Sequence, residues 1–112
     1  MSKKIQPGKL RDTVLLSLDE LKAIDPVSLN VKKLSIFTDY ILIASGRSNR
    51  HIQSIGEKVI EDLKKNRIKP MGIEGQGIEG WLLIDLGDVV VHVMSTDKRS
   101  FYDLEGLWDP NL

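Results

Sequence analysis

The sequence is apolar at every position from 40 to 44, Tyr40-Ile41-Leu42-Ile43-Ala44. A continuous apolar run of this length is typical of a strand that is buried on both faces inside a sheet. Gly46 interrupts the strand, and Ser48 can cap the N-terminus of a following helix. Apolar residues then recur at helical spacing, at Ile52, Ile55, Val59, Ile60 and Leu63. A buried strand followed directly by an amphipathic helix predicts an α/β protein.

A first helix and a first strand are predicted upstream of this unit. Apolar residues recur at helical spacing from Leu10 to Ile24, which predicts a helix over that segment. Asp25-Pro26 is expected to end the helix, because proline disfavours helical geometry at the residue before it. Residues 27–31 then alternate between apolar and polar side chains, which predicts a half-buried strand.

Three further strands and a last helix are predicted downstream. The strands are expected at 71–74, 81–84 and 89–94, and the last two form a hairpin in which Gly87 can take a positive φ. Thr96-Asp97 can cap a helix that runs from Lys98 to about Glu105. The resulting order, α-β-β-α-β-β-β-α, predicts a single-domain α/β fold with a mixed sheet of about five strands flanked by helices.

Length and composition exclude several classes of protein. The chain has 112 residues, with 16 Lys and Arg against 16 Asp and Glu, and it contains no cysteine. Disulfide scaffolds and thiolate metal sites are therefore excluded. No apolar run approaches the roughly 18 residues that a membrane span needs, and no signal-peptide core is apparent. We expect one domain over residues 1–112, with residues 1–8 flexible, in the cytoplasm and without a membrane partner.

The zero net charge conceals two halves of opposite sign. Residues 1–70 carry 14 basic and 8 acidic side chains, a balance of +6. Residues 71–112 carry 2 basic and 8 acidic side chains, a balance of −6. Such an asymmetry predicts which partners each half attracts. A basic protein is expected to suit the second half better than bare RNA does.

Motifs for catalysis or cofactor binding lack the context that their chemistry needs. Gly75–Gly80 matches G-x-G-x-x-G letter for letter, but a predicted strand follows it where a dinucleotide site needs a helix. His51 and His92 have no third ligand at metal spacing, and no G-x-S-x-G elbow occurs. We therefore expect no catalytic residue, no cofactor and no metal.

Several segments together resemble the ribosomal silencing factor family, also called the Iojap family. The resemblance extends from about Leu10 to Trp108. It is carried by Thr38-Asp39-Tyr40, Ala44-Ser45-Gly46, Ser48-Asn49-Arg50-His51, Gly80-Trp81, Asp85-Leu86-Gly87-Asp88-Val89-Val90-Val91-His92-Val93, Tyr102-Asp103-Leu104-Glu105 and Leu107-Trp108. The segment 85–93 and the ending around 102–108 are its most specific parts.

The resemblance implies a fold and a function that composition alone does not. The family fold is an α/β sandwich related to nucleotidyltransferases, and family members are not known as enzymes. They bind the large ribosomal subunit through ribosomal protein L-fourteen and block its association with the small subunit, which represses translation under nutrient limitation. The same docking links the family to ribosome biogenesis. Crystal dimers of family members imply a homodimer when the protein is free.

The candidate docking surface lies in the acidic half. Its expected apolar or amphipathic contacts are Trp81, His92, Met94, Tyr102, Leu104 and Trp108. Charge complementarity to a basic partner is expected from Asp85, Asp88, Asp103 and Glu105. Two interpretations stay open for the cations of the first half: a solvated helix face, which the pattern favours, or minor contacts to ribosomal RNA, with the candidates Arg47, Arg50, Lys64, Lys65 and Arg67.

Two alternative functions stay open on the sequence. A nucleotidyltransferase-like enzyme would use the turn Gly46-Arg47-Ser48 to hold a triphosphate, and two carboxylates on the next strand to hold magnesium ions. That strand offers only Glu74, so the metal half of such a site is missing. A dimerising module would instead use Trp81 and Trp108 as a self-interface.

Overall fold

The computed structural model describes residues 5–75 and 80–108. Its elements are α1 (Pro7–Glu20), β1 (Ile24–Asn30), β2 (Tyr40–Gly46), α2 (Asn49–Lys65), β3 (Gly72–Glu74), β4 (Trp81–Asp85), β5 (Val89–Ser95), α3 (Thr96–Tyr102) and α4 (Leu104–Leu107). No helix in these described ranges is long and apolar enough to cross a membrane.

The five strands form one mixed sheet in the order β1-β2-β5-β4-β3. β2 pairs in parallel with β5, and the other three pairings are antiparallel. Every residue of β2 is buried, as the apolar run predicts. The predicted hairpin between the last two strands is confirmed, and Gly87 in its turn has a φ of 84°. The predicted class and element order are therefore confirmed, with the last helix divided into two.

Helices α1 and α2 cover one face of the sheet and form the larger core. Leu10, Val14 and Leu18 of α1 are buried in it, as are α2 residues such as Ile55 and Val59. Ser48 caps α2 as predicted, since its hydroxyl accepts a hydrogen bond from the His51 N–H at 3.1 Å. The helices leave the opposite face of the sheet to other elements.

The second face of the sheet is covered in part by α4. A smaller cluster lies there, built on the fully buried Val31, Ile43 and Met94. Leu104 and Trp108 pack against it. Because α4 covers this cluster near β1 and β2, the open part of the second face lies on β4 and β3, where Leu83 and Glu74 retain exposure.

The first helix is four residues shorter at its C-terminal end than predicted. α1 ends at Glu20, and Lys22 takes a φ of 55° that reverses the chain. Ile24 then pairs with Ser45 of β2, so Asp25-Pro26 forms an irregularity inside β1 and does not end a helix. At the other end, α1 begins at Pro7, so Pro7 and Gly8 of the segment expected to be flexible are helical. Residues 1–4 lie outside the described residues.

The predicted last helix is divided by a left-handed residue. Asp103 has a φ of 46° and ends α3, and its side chain then caps α4 by accepting from the Gly106 N–H at 3.1 Å. The cap of α3 is Ser95 and not Thr96-Asp97, since the Ser95 hydroxyl accepts from the Lys98 N–H. This break turns α4 back over the second face of the sheet.

Candidate functional site

Four rings form a continuous series from the sheet to the solvent. The Trp81 indole N–H donates to His92 Nδ1 at 3.0 Å, with the ring centroids 5.9 Å apart. The Tyr102 ring lies 4.8 Å from the Trp81 ring, and the Phe101 ring lies 5.0 Å from Tyr102. We call His92, Trp81, Tyr102 and Phe101 the aromatic row. Tilted pairs at these separations are favourable geometries for aromatic side chains.

The outer half of the aromatic row is open to solvent. Phe101 is 80% exposed and Tyr102 is 51% exposed. None of the seven residues of α3, all of which the structure describes, is buried. The short helix therefore presents its aromatic side chains outward and does not bury them in the core. Exposed aromatic side chains on a rigid support are typical of binding surfaces.

His92 is the inner end of the row and holds the indole in place. Its Nδ1 accepts the Trp81 N–H, so a neutral ring carries its proton on Nε2. Burial lowers the pKa of His92 to about 4, because the charged imidazolium is poorly solvated there. His92 is therefore neutral at pH 7 and positions Trp81.

Three residues expected to contact a partner, all outside the aromatic row, are buried or partly buried. Met94 is fully buried, so the prediction that it contacts a partner directly is wrong. It lies on the interior strand β5, opposite Trp81 of β4, and belongs to the cluster that α4 covers. Leu104 and Trp108 are only partly buried and pack against the same cluster. Both retain partial exposure, and Trp81 of the row packs against the same cluster.

The carboxylates of Asp85, Asp103 and Glu105 accept hydrogen bonds within the chain. Asp85 accepts from the Gly87 N–H at 2.8 Å and shapes the hairpin turn. Asp103 caps α4, and Glu105 accepts from Arg99 Nε at 2.7 Å. At Asp88, the backbone carbonyl accepts from the N–H groups of Asp39 and Tyr40. These residues contribute negative charge, but they also have structural roles that a partner would have to leave intact.

Arg99 is a positioning residue that sequence reasoning missed. Its guanidinium donates to the Ile24 carbonyl at 3.1 Å, the Asp25 carbonyl at 2.7 Å and the Ser45 hydroxyl at 3.2 Å. It thereby ties α3, and the aromatic side chains that follow, to β1 and β2. The available signal was that Lys98 and Arg99 are the only cations in residues 71–112.

A groove of about 310 Å³ lies beside Trp81. Glu74, Gly75 and Leu83 line it together with the indole, and Glu74 is exposed. Sequence reasoning considered Glu74 only as the remnant of a metal site and missed its place next to the row. Of the Gly75–Gly80 motif, residues 76–79 lie outside the described residues.

In the turn Gly46-Arg47-Ser48, which an enzyme would use to hold a triphosphate, a backbone N–H group is already bonded to a side chain of the protein. The Arg47 N–H donates to His51 Nδ1 at 2.9 Å, so His51 Nε2 carries the proton and donates to the Leu21 carbonyl at 2.8 Å. This arrangement links the turn to the end of α1 and leaves that N–H group bonded internally. Within residues 5–75 and 80–108, no group of three His, Asp or Glu side chains could hold a metal ion.

Comparison with known proteins identifies the family. A family model described as "Ribosomal silencing factor during starvation" matches residues 4–111. The chain belongs to this family. A ribosomal silencing factor of Bacillus subtilis is 40% identical over 90 residues, which cover 80% of this chain and 76% of that relative. One from Haemophilus influenzae is 35% identical over 99 residues, which cover 88% of this chain and 97% of that relative.

The fold of this ribosomal silencing factor also has a solved counterpart. A crystal structure of a Chromobacterium violaceum protein superposes with a TM-score of 0.90 at 33% identity, covering 93% of this chain and 87% of that one. The predicted family and fold class are therefore confirmed. The family is named for silencing ribosomes, which is a regulatory and not a catalytic role.

The cations expected to meet RNA lie at two separate places in the silencing factor. Arg47 and Arg50 are exposed at the N-terminal end of α2. Lys64, Lys65 and Arg67 lie at its C-terminal end, roughly 25 Å away at 1.5 Å per residue. The aromatic row lies at the N-terminal end, because Asn49 accepts from the Gly80 N–H at 2.9 Å. Of these five cations, Arg47 and Arg50 are therefore the two that can act alongside the row.

Proposed function

We propose that this silencing factor binds the large ribosomal subunit through ribosomal protein L-fourteen. The bound domain then prevents the small subunit from joining, which represses translation when nutrients are scarce. The observation that carries the proposal is the aromatic row, whose exposed members Tyr102 and Phe101 rest on the fixed pair Trp81 and His92. The proposed site of action is the cytoplasm, where ribosomal subunits meet.

The row supplies the anchoring part of such an interface. Trp and Tyr dominate the residues whose truncation costs most binding energy, because they bury a large area with few rotatable bonds. Trp81 is fixed by its bond to His92, and α3 is fixed by Arg99. Little conformational entropy is therefore lost on binding. Leu107 of α4 is a further exposed apolar side chain, at 71%, that was missed from the sequence.

Charge supports a basic protein as the partner of the row. Glu74 of β3 lies beside Trp81, and Asp85 is on β4, the strand that contains Trp81. Carboxylates at the rim accelerate association with a basic surface and make binding sensitive to salt. Arg47 and Arg50, at the same end of the molecule, are placed to touch neighbouring ribosomal RNA as a minor contact.

Sedimentation with purified large subunits tests the proposal. The wild-type protein is expected to migrate with large subunits and to lower the peak of joined ribosomes in a sucrose gradient. Tyr102→Ala should weaken this binding about tenfold, since it removes an exposed anchor. Leu16→Ala is the matched control, because Leu16 is 66% exposed on α1 and lies outside the row. Wild-type protein that stays at the top of the gradient at low salt would overturn the proposal.

Three further measurements separate the parts of this function. Calorimetry with isolated ribosomal protein L-fourteen should show binding that Tyr102→Ala weakens. If no heat of binding is measured, L-fourteen is not the partner. Light scattering should show whether free protein forms a homodimer through the same surface. A dimer that Trp81→Ala separates, while subunit binding stays intact, would assign the row to self-association and not to the ribosome. Binding to immature large subunits would extend the same docking to assembly.

A further inference from the structure

A second groove lies at the C-terminal end of α2, at the opposite end of that helix from the aromatic row. It has a volume of about 370 Å³ and is lined by Ile60, Lys64, Arg67, Ile68, Lys69 and Pro70. Ile60, Ile68 and Pro70 are partly exposed and supply its apolar surface, while the three cations are exposed around them. We call this the basic groove. An apolar floor with a rim of one charge sign is suited to an amphipathic ligand.

The cations of the basic groove take no part in the ion pairs found within residues 5–75 and 80–108. Among the described residues, Lys64, Arg67 and Lys69 make no ion pair. Their neighbour Lys65 differs, since its ammonium lies 3.5 Å from Glu61 and 3.9 Å from Asp62. Two of the three, Arg67 and Lys69, lie beyond the last helical residue. Three uncompensated cations at one place attract a ligand with several negative charges.

Arg67 has a left-handed backbone conformation that glycine would adopt with less strain. The Ile68 N–H bonds the Leu63 carbonyl and the Arg67 N–H bonds the Lys64 carbonyl, which is the Schellman arrangement at a helix end. Arg67 has a φ of 59°, a conformation that glycine adopts without cost and that arginine adopts only with strain. A strained residue with an exposed charged side chain is more typical of a binding site than of a helix end optimised for stability.

We propose that the basic groove binds an acidic amphipathic segment of a protein partner. Apolar side chains of that segment would enter between Ile60, Ile68 and Pro70, and its carboxylates would pair with the three cations. RNA fits less well, because the described lining residues include no aromatic side chain on which a base could stack. A lipid surface fits less well too, because the site is concave and its apolar lining residues, Ile60, Ile68 and Pro70, are only partly exposed.

Fluorescence anisotropy tests the proposal with peptides of defined composition. The probe is a labelled helical peptide of about 14 residues with leucines along one face and glutamates along the other. Control probes replace the leucines with serine or the glutamates with lysine, and a single-stranded RNA of similar length is the competing class. The acidic amphipathic peptide should bind wild-type protein about tenfold more tightly than either control peptide or the RNA.

Protein variants locate the binding. Lys64→Glu combined with Arg67→Glu should weaken peptide binding about tenfold or more, whereas Lys32→Glu with Lys33→Glu, which reverses two exposed cations elsewhere, should change it less than about twofold. Arg67→Gly removes the guanidinium from a backbone position that suits glycine, so it should weaken peptide binding while the urea midpoint of the variant stays at or above that of wild type. The proposal is overturned if the serine peptide binds as well as the leucine peptide, if the RNA binds most tightly, or if the two double variants bind alike.

Discussion

Acidification should destabilise this protein well above the pH at which its carboxylates become protonated, and His92 should be the cause. His92 Nδ1 accepts the Trp81 indole N–H at 3.0 Å, and burial lowers the pKa of His92 to about 4 from an ordinary value of 6.5. In the unfolded chain the ring takes up a proton as the pH falls below 6.5, whereas in the folded chain it stays neutral down to about 4. The unfolded state therefore binds more protons across this window.

The sign and size of the effect follow from proton linkage. Because the unfolded state holds the extra proton, the free energy of unfolding rises with pH between about 4 and 6.5 and falls on acidification. The whole pKa difference corresponds to about 3 kcal/mol at 1.36 kcal/mol per unit. His92 retains some contact with solvent, so we expect a loss of about 2 kcal/mol between pH 7 and pH 4.

Urea denaturation at a series of pH values measures this loss. The matched variant is His92→Asn, whose side-chain oxygen can accept the Trp81 N–H where Nδ1 does, but which cannot take up a proton. The difference between wild type and variant isolates His92 from every other titrating group. If the two proteins lose the same stability between pH 7 and pH 4, His92 is not buried as a neutral acceptor, and its assigned role in holding Trp81 is refuted.

Two further substitutions test how the helices are held. Ser17→Ala should lower the free energy of unfolding by about 1–2 kcal/mol, because the buried hydroxyl donates to the Asp62 carboxylate at 2.6 Å. This hydrogen bond is also the main reason that the pKa of Asp62 is lowered. An unchanged urea midpoint would contradict the prediction. Arg67→Gly should raise the free energy of unfolding by about 0.5–1 kcal/mol, since glycine adopts a positive φ without strain, and a lower melting temperature would contradict that.

The parts of the fold that local chemistry determines were predictable from the sequence. The buried run of β2, the Ser48 cap and the Gly87 turn depend on residues close together in the chain, and all three are confirmed. The end of α1 was not predictable in this way. Apolar spacing continues to Ile24, but pairing of Ile24 with Ser45 of β2 takes that residue into the sheet. A tertiary hydrogen-bonded pairing overrides helical periodicity there.

The candidate site was predictable in composition but not in geometry. Trp81, His92 and Tyr102 were recognised as residue types suited to binding, yet their contact depends on the pairing of β4 with β5 and on the direction of α3. Met94 shares a face with His92 by strand alternation, so exposure was a reasonable expectation. It is buried because Asp103 turns α4 back over the sheet, and a left-handed aspartate leaves no clear pattern in the sequence.

The structure changes what the acidic half of the chain contributes to recognition. Asp85, Asp103 and Glu105 each accept an internal hydrogen bond, so pairing them with a partner's cations would compete with a turn, a helix cap and the anchoring of Arg99. Their charges still act at a distance and favour encounter with a basic surface. Direct pairing is better suited to Glu74, which is exposed beside Trp81. Glu74→Gln should therefore weaken binding to a basic partner by more than the loss of one distant charge would. Changes at Asp103 or Glu105 should instead weaken binding mainly by displacing α3 and α4.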